Sequence, residues 1–135
     1  TLYITNTQEK VSIMLVKIDF NSEEAIYMQL CNQIIVGIAT AKIREGDSLP
    51  SVRQMAEEIG INMHTVNKAY AVLREEGIIQ LDRRRGAVVA INMNKLQAME
   101  DMKCQLKVLL AKARCKNVTK EDVCKLIDEI YEEYC

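Results

Sequence analysis

Apolar residues in the first half of the chain recur every three or four positions, the spacing of helices that bury one face. The first stripe predicts a helix over about residues 23–41, with Asn21 or Ser22 as its cap. Tyr27 lies beside this stripe, and we expect it in the core or at an interface. We expect the helix to pack behind the elements that follow. Its apolar face consists of Ile26, Leu30, Ile34 and Ile38.

Two shorter stripes follow and meet at a tight turn. Ser51 and Gln54 have the spacing of a capping box, and Gly60 suits the left-handed conformation in which many helices end. Asn62 can cap the next helix. The pattern predicts a helix-turn-helix, whose second helix can lie in a DNA major groove, or else an ordinary helical hairpin in a core. The two apolar faces consist of Val52, Met55, Ala56 and Ile59, then Val66, Tyr70 and Leu73.

Two runs of branched residues, 78–81 and 87–91, predict short strands. The turn between them runs from Asp82 to Gly86 and carries three arginines in succession. Adjacent like charges repel each other and do not help a turn to fold, but they suit contact with a phosphate backbone. We therefore interpret the hairpin as a wing attached to the helix-turn-helix. A solvated basic loop is the alternative.

The last part of the chain has a narrower apolar pattern. A helix is predicted over about residues 95–114, Lys116 and Asn117 interrupt it, and Thr119 with Asp122 predicts the cap of another helix. Because a long apolar seam is unusual on a monomer, a homodimer is the simplest way to bury it. A hairpin packed on its own winged helix is the alternative. The expected dimerisation residues are Leu96, Met99, Met102, Leu106, Leu109, Val123, Leu126, Ile127, Ile130 and Tyr131.

The predicted fold is mainly α with a small β-hairpin. A winged helix-turn-helix domain is expected over residues 18–91, followed by a C-terminal two-helix dimerisation element over 92–135. Residues 1–17 are predicted to be an N-terminal extension, to which we assign no role. Within it, residues 2–5 and 11–16 have the composition of extended segments.

Composition and net charge exclude few classes of function. The 135 residues carry a formal net charge of −1, so the chain as a whole has no attraction for nucleic acid, and the basic cluster must act locally. The sequence has no apolar run of transmembrane length and no signal-peptide pattern. We therefore expect a cytoplasmic protein that does not enter a membrane.

The five cysteines and the one histidine do not have the spacing of a metal site, and no C-x-x-C pair occurs. Free thiols are the expectation. Cys104 and Cys115 share a helix face, but burial explains cysteines more often than redox sensing does. Because the sequence has no Ser–His–Asp set and no phosphate-binding glycine loop, it predicts neither an enzyme nor a cofactor.

Two segments carry a family resemblance: Leu49–Arg53, which reads Leu-Pro-Ser-x-Arg, and Thr65–Tyr70, which reads Thr-Val-x-x-Ala-Tyr. With the glycines at 46, 60, 77 and 86, they resemble the winged-helix domain of GntR-family bacterial transcription regulators over about residues 18–91. The helical tail is similar to that of the YtrA subfamily. The resemblance implies a repressor of its own operon and of adjacent transporter genes. The residues after the wing are too few for the larger ligand-binding domains of other branches, and the existence of an effector stays open.

The resemblance and the residue chemistry together give a set of candidate DNA contacts. Ser51 and Arg53, at the start of a helix, suit phosphate. Asn67 can pair with an adenine edge, and Lys68 with phosphate or guanine. Met63 stands where many relatives outside the YtrA branch have arginine, so their operator preferences do not transfer. The whole set is Ser51, Arg53, Asn62, His64, Thr65, Asn67, Lys68, Arg83, Arg84, Arg85 and Gly86.

The sequence thus predicts a sequence-specific transcription regulator that binds double-stranded DNA as a homodimeric repressor. The alternative is a winged helix that contacts protein without sequence-specific DNA binding. Such a module would not need three wing arginines, so salt-sensitive binding to duplex DNA distinguishes the two functions.

Overall fold

The computed structural model describes residues 2–5 and 12–135, and it confirms the predicted fold class, mainly α with a winged helix-turn-helix. The described part forms two compact units that divide between Asn92 and Met93. The elements, in chain order, are β1 (Leu2–Thr5), β2 (Ser12–Val16), α1 (Ile26–Ala39), α2 (Val52–Ile59), α3 (Met63–Glu75), β3 (Ile79–Asp82), β4 (Gly86–Val89), α4 (Lys95–Cys115) and α5 (Lys120–Glu133).

Helix α1 begins later than predicted, and its predicted cap is wrong. Its N-cap is Ala25, which makes no side-chain cap bond, while the Ser22 hydroxyl accepts from the Glu24 N–H. The segment before the helix is held instead by the buried side chain of Gln29. The Gln29 amide donates to the carbonyls of Asp19 and Glu24 and accepts from the Asp19 N–H. The Gln29 side chain therefore binds the loop before α1 at two places, Asp19 and Glu24, and the helix begins after it.

The core lies where α1, α2 and α3 meet. Leu30 and Ile34 of the predicted α1 stripe are fully buried, and Ile26 and Ile38 are half-buried. Met55 of α2 is also fully buried. Helix α3 contributes the buried residues Val66, Ala69, Tyr70 and Leu73 and packs against both other helices. Each predicted stripe therefore faces the same core, which fixes the relative placement of the two helices of the helix-turn-helix.

The turn between α2 and α3 is built as the sequence predicts. Ser51 and Gln54 form the capping box, and Gly60 adopts the left-handed conformation with φ 80°. Ile61 N–H then donates to the Ala56 carbonyl, and Asn62 caps α3 through the His64 N–H. Glycine is favoured at position 60 because a side chain is strained at that φ.

The hairpin of β3 and β4 pairs antiparallel, with Ile79 opposite Val89 and Asp82 opposite Gly86. The segment before α2 pairs with β4 on the other side of the hairpin. Leu49 N–H donates to the Ala87 carbonyl, and Val89 N–H donates to the Asp47 carbonyl. The wing is therefore joined by backbone bonds to the chain that leads into α2. This connection sets the position of the arginine turn relative to the helix-turn-helix.

The segments predicted to be extended near the N-terminus form the antiparallel pair β1 and β2. Residue 11, the predicted start of the second segment, lies outside the described residues. Val16, at the end of β2, is buried in the core, and β2 contacts α1. The predicted domain start at residue 18 therefore lies just after a residue that belongs to the core.

The unit after Asn92 consists of α4 and α5. Asn117, with φ 59°, ends α4 in a left-handed turn in which Val118 N–H donates to the Ala113 carbonyl. Thr119 and Asp122 then form the predicted capping box of α5. Neither helix contains a buried residue.

Candidate nucleic-acid interface

The start of α2 presents Ser51 and Arg53. The Ser51 hydroxyl accepts from the Gln54 N–H at 3.1 Å, so its oxygen already serves as the helix cap. The Arg53 side chain is 78% exposed, and its Nε lies 3.2 Å from Oε1 of Glu57. An ion pair this exposed contributes little to stability, so a phosphate can replace the Glu57 carboxylate at low cost. Arg53 is therefore available for an anion.

The outward face of α3 carries the polar residues predicted to read DNA. His64, Asn67 and Lys68 are exposed, and Thr65 is half-buried. Asn62 is exposed too, but its Oδ1 accepts from the His64 N–H at 2.7 Å, so the side chain already serves as the cap of α3. The opposite face of α3 forms the core, so this polar edge has its backbone fixed by packing.

Lys68 makes a contact that the sequence did not reveal. Its Nζ lies 4.0 Å from the centroid of the Tyr27 ring, a cation–π geometry. The sequence predicts Tyr27 in the core or at an interface, and in the structure it is half-buried with its ring facing the ammonium group. The two residues lie on different helices far apart in the chain, so no local pattern could have predicted the pair. The contact places the Lys68 ammonium group beside α1, and the side chain remains exposed.

The wing turn is ordered by an aspartate beneath the arginines. Oδ1 of Asp82 accepts from the N–H groups of Arg84 and Arg85, at 2.7 and 3.0 Å. These two bonds, with the charge of Arg85 as a smaller cause, hold the pKa of Asp82 below its usual value. Arg83, Arg84 and Arg85 are all exposed. The Asp82 carboxylate therefore fixes the backbone of the turn, while the three arginine side chains extend into solvent.

Arg85 and Gly86 also connect the wing to the segment before α2. Nη2 of Arg85 donates to the carbonyl of Gly46. Gly86 has φ 74° and open space where a side chain would stand. Backbone conformation, rather than crowding, therefore favours glycine at this position.

A cleft of about 690 Å³ lies between the wing and the start of α2. It brings together Ser51, Arg84, Arg85 and Gly86 of the predicted set. The predicted residues of α3, with Arg53 and Arg83, do not line it. Gln54 and Glu58 of α2 do line it and were not predicted as site residues. Their spacing could have indicated that both line one surface, because residues four apart lie on the same face of a helix.

The cysteines differ in their surroundings. Cys31 is buried, and its thiol donates to the Ala69 carbonyl at 3.3 Å. Burial, with a smaller effect from the charge of Glu76, raises the pKa of Cys31 to about 11, which makes it a poor nucleophile. The exposed thiols are Cys104, Cys115, Cys124 and Cys135. In the described residues, His, Cys, Asp and Glu side chains form no group of three that could hold a metal ion. No helix of that part is long and apolar enough to span a bilayer.

Comparison with known proteins identifies the family. The pattern described as "Bacterial regulatory proteins, gntR family" matches residues 23–89, from the loop before α1 to the end of β4. The HTH-type transcriptional repressor YtrA of Bacillus subtilis is 36% identical over 119 residues, which cover 86% of this chain and 92% of that protein. The HTH-type transcriptional regulator Rv1152 of Mycobacterium tuberculosis is 25% identical over 117 residues, 87% of this chain and 94% of its own length.

Two solved structures extend the similarity beyond the wing. A transcriptional antiterminator from Listeria monocytogenes superposes with a TM-score of 0.80 at 27% identity, covering 91% of this chain and 94% of its own. YtrA of Sulfolobus acidocaldarius, a GntR-family transcription factor, superposes with a TM-score of 0.64 at 37% identity, covering 76% and 99%. The fold, the exposed basic wing and these relatives agree, so the chain belongs to the GntR family of bacterial regulatory proteins, as a YtrA-like DNA-binding transcription regulator.

Proposed function

We propose that this chain is a sequence-specific repressor that binds its operator as a homodimer. The observation that carries the proposal is the cleft at the wing, where Arg84 and Arg85 lie across from the capped start of α2. Glu58 also lines the cleft, but the two arginines outnumber it, and they and the helix N-terminus attract phosphate. The exposed polar edge of α3 supplies groups that can bond to base edges.

The roles divide by how each side chain is held. Arg53 and the wing residues Arg83–Arg85 bind phosphate, because all four are exposed cations and a phosphate can replace the exposed Glu57 carboxylate beside Arg53. Gly86 lets the wing backbone approach the duplex. Ser51 and Asn62 fix the helix starts from which their neighbours reach the DNA. The residues that face the groove are His64, Thr65, Asn67 and Lys68.

The homodimer is supported by the exposed apolar side chains of the second unit. Leu109 is 60% exposed and Ile130 is 45% exposed, and the other apolar residues of both helices are exposed or half-buried. Water contact with this much apolar surface is unfavourable, and a second copy removes it. We therefore assign residues 92–135 to dimerisation and residues 18–91 to DNA binding.

The proposed sign of regulation rests on a relative, and the proposed targets rest on the family resemblance of the sequence. YtrA of Bacillus subtilis is named a transcriptional repressor. We propose that this chain likewise represses, acting on its own operon and on adjacent transporter genes, in the cytoplasm where the chromosome lies.

The experiment that tests the function is selection of bound duplexes from genomic fragments, followed by footprinting. We expect one enriched sequence with two half-sites about one helical turn apart, because a two-fold dimer presents two recognition helices. Enrichment without a shared sequence would contradict sequence-specific binding. Failure to bind any duplex would favour the protein-interaction module instead.

The wing arginines provide a prediction about salt. Replacing Arg83, Arg84 and Arg85 by alanine should weaken binding to all sequences and flatten the salt dependence, by about one unit of slope for each phosphate that is no longer neutralised. Titrations at several salt concentrations measure the slope. The matched control removes three other exposed cations, Lys42, Lys95 and Lys107, and should change the slope less. An unchanged slope in the wing variant would show that the arginines do not bind phosphate.

A further inference from the structure

The corner between α4 and α5 encloses a groove of about 530 Å³. The left-handed turn at Asn117 folds Val118 back toward the end of α4, and this turn shapes the groove. Its apolar floor comes from Leu110, Ala113, Val118 and Val123, and its polar rim from Arg114, Asn117, Thr119 and Lys120.

Burial within the second unit is concentrated at this groove. In residues 93–135, all of which the structure describes, the half-buried side chains are Leu106, Ala113, Val118 and Val123, and the last three line the groove. Leu110 remains 40% exposed. The site therefore offers apolar surface that is partly sheltered and that another apolar side chain can fill.

The rim of the groove is positively charged. Arg114 and Lys120 line it, and Lys112 and Lys116 lie on either side of Arg114 in the chain. Among the described residues, neither Arg114 nor Lys120 has a carboxylate within ion-pair distance. The groove is therefore suited to a segment that combines apolar side chains with negative charge.

The other end of α5 has that composition. Its last turns carry the exposed apolar residues Ile127, Ile130, Tyr131 and Tyr134. They alternate with the exposed acidic residues Asp128, Glu129, Glu132 and Glu133, without a basic residue among them. This acidic end cannot reach the groove of its own chain. The groove lies at the start of α5, and a straight helix of 14 residues holds its ends about 20 Å apart.

We propose that the groove binds the acidic end of α5 from a second copy of this chain. The inference rests on the proposed homodimer and names the contact that builds it. Two α5 helices that lie antiparallel about a two-fold axis near Leu126 and Ile127 place each acidic end at the other subunit's groove. The contact is then made twice, as symmetry of this kind requires. Tyrosine and isoleucine side chains fill the apolar floor, and Arg114 and Lys120 face carboxylates.

The test uses two charge-reversed variants of the full chain. One carries Arg114→Glu with Lys120→Glu, and the other carries Glu132→Lys with Glu133→Lys. Each variant alone should self-associate at least about tenfold more weakly, because like charges then meet at both contacts. Mixed in equal amounts, the two should form a heterodimer within a few-fold of the parent affinity, because both contacts are then opposite in charge. Sedimentation equilibrium measures all three constants.

Rescue by mixing excludes a folding defect, since two unfolded variants cannot restore each other. The control reverses Lys103 and Lys107, which are exposed on α4 and lie outside the groove, and should leave the association constant near that of the parent. The groove contact is overturned if each variant dimerises like the parent, or if the mixture stays dissociated. In either case the homodimer itself stands as long as the parent dimerises. A parent that remains monomeric would overturn both proposals.

Discussion

Ala41 ends α1 in the left-handed region, with φ 60°. Its neighbour Lys42 donates its N–H to the Gly37 carbonyl, which closes the turn. An alanine in this conformation brings its Cβ too near a carbonyl oxygen and costs roughly 1–2 kcal/mol, whereas glycine does not have this clash. The helix ends at Ala39, shortly before the predicted residue 41, and the turn that follows it holds Ala41 in a conformation that is unfavourable for a side chain.

Replacing Ala41 by glycine should raise the free energy of unfolding by about 1 kcal/mol, because strain is relieved and only part of the gain is lost to the more flexible unfolded chain. Chemical denaturation measures the change. Ala39→Gly is the control, since Ala39 is exposed within the same helix, and it should destabilise by up to about 1 kcal/mol. A destabilised Ala41→Gly variant would contradict the strain argument.

Asn67 is the residue on α3 best suited to specify a base. Its side chain is exposed and makes no hydrogen bond within the described residues, so its amide is free for a bidentate pair with adenine. Asn67→Ala should reduce discrimination at one base pair by about 1–3 kcal/mol.

Binding to a set of operators with single base changes tests this role. Arg53→Ala serves as the comparison, because removal of a phosphate-binding side chain should weaken every operator about equally. If Asn67→Ala also weakens all operators equally, Asn67 does not read a base.

At the scale of elements, the wing turn depends on the Asp82 carboxylate. Two N–H groups bond to it, and its pKa is lowered, so the charged form stabilises the turn. This stabilisation is present above the ordinary aspartate pKa, and it is lost as the pH falls through the lower pKa of the folded protein. The wing should therefore keep its order throughout the neutral range.

The amide resonances of Arg84 and Arg85 report this titration. Both should shift together, with a midpoint below the ordinary aspartate value of 3.8. Asp82→Asn retains an acceptor oxygen and should keep most of the DNA affinity, whereas Asp82→Ala should lower it severalfold by disordering the turn. A midpoint at or above the ordinary value would show that the two bonds do not hold the carboxylate in solution.

For the whole molecule, the distribution of charge matters more than its sum. The net charge is −1, yet the exposed arginines of the wing turn are consecutive, and the end of α5 is acidic. A duplex within a Debye length of the wing experiences mainly the local charge. A nearly neutral chain can therefore bind DNA, and the acidic residues remain available for contacts with another copy.

A substitution at Leu109 tests whether the second unit dimerises through one apolar face. Leu109→Asp places a charge in the proposed apolar seam in both subunits and should weaken self-association by about a hundredfold or more. Binding to an operator with two half-sites should then weaken strongly, while the weak binding to one half-site persists. Val108→Asp is the matched control, because Val108 is similarly exposed, at 58%, but points about 100° away around the helix. Equal effects of the two changes would contradict a seam on one face.

The secondary structure elements and their boundaries, to within a few residues, could be predicted from the sequence. Capping boxes, left-handed turns and the helical repeat involve residues no more than about four positions apart, so they can be read locally. Ser51 with Gln54, Gly60, and Thr119 with Asp122 all form the structures that their spacing predicts. The spacing of apolar residues, every three or four positions, likewise predicted which faces of α1, α2 and α3 form the core.

Contacts between residues that are distant in the chain could not be predicted from the sequence. The Lys68 ammonium group of α3 lies over the Tyr27 ring of α1. Residues 46–49 pair with β4 of the wing, and this pairing places the arginine turn beside α2. These contacts join residues that are far apart in the chain, so they depend on how the helices pack and not on local propensity.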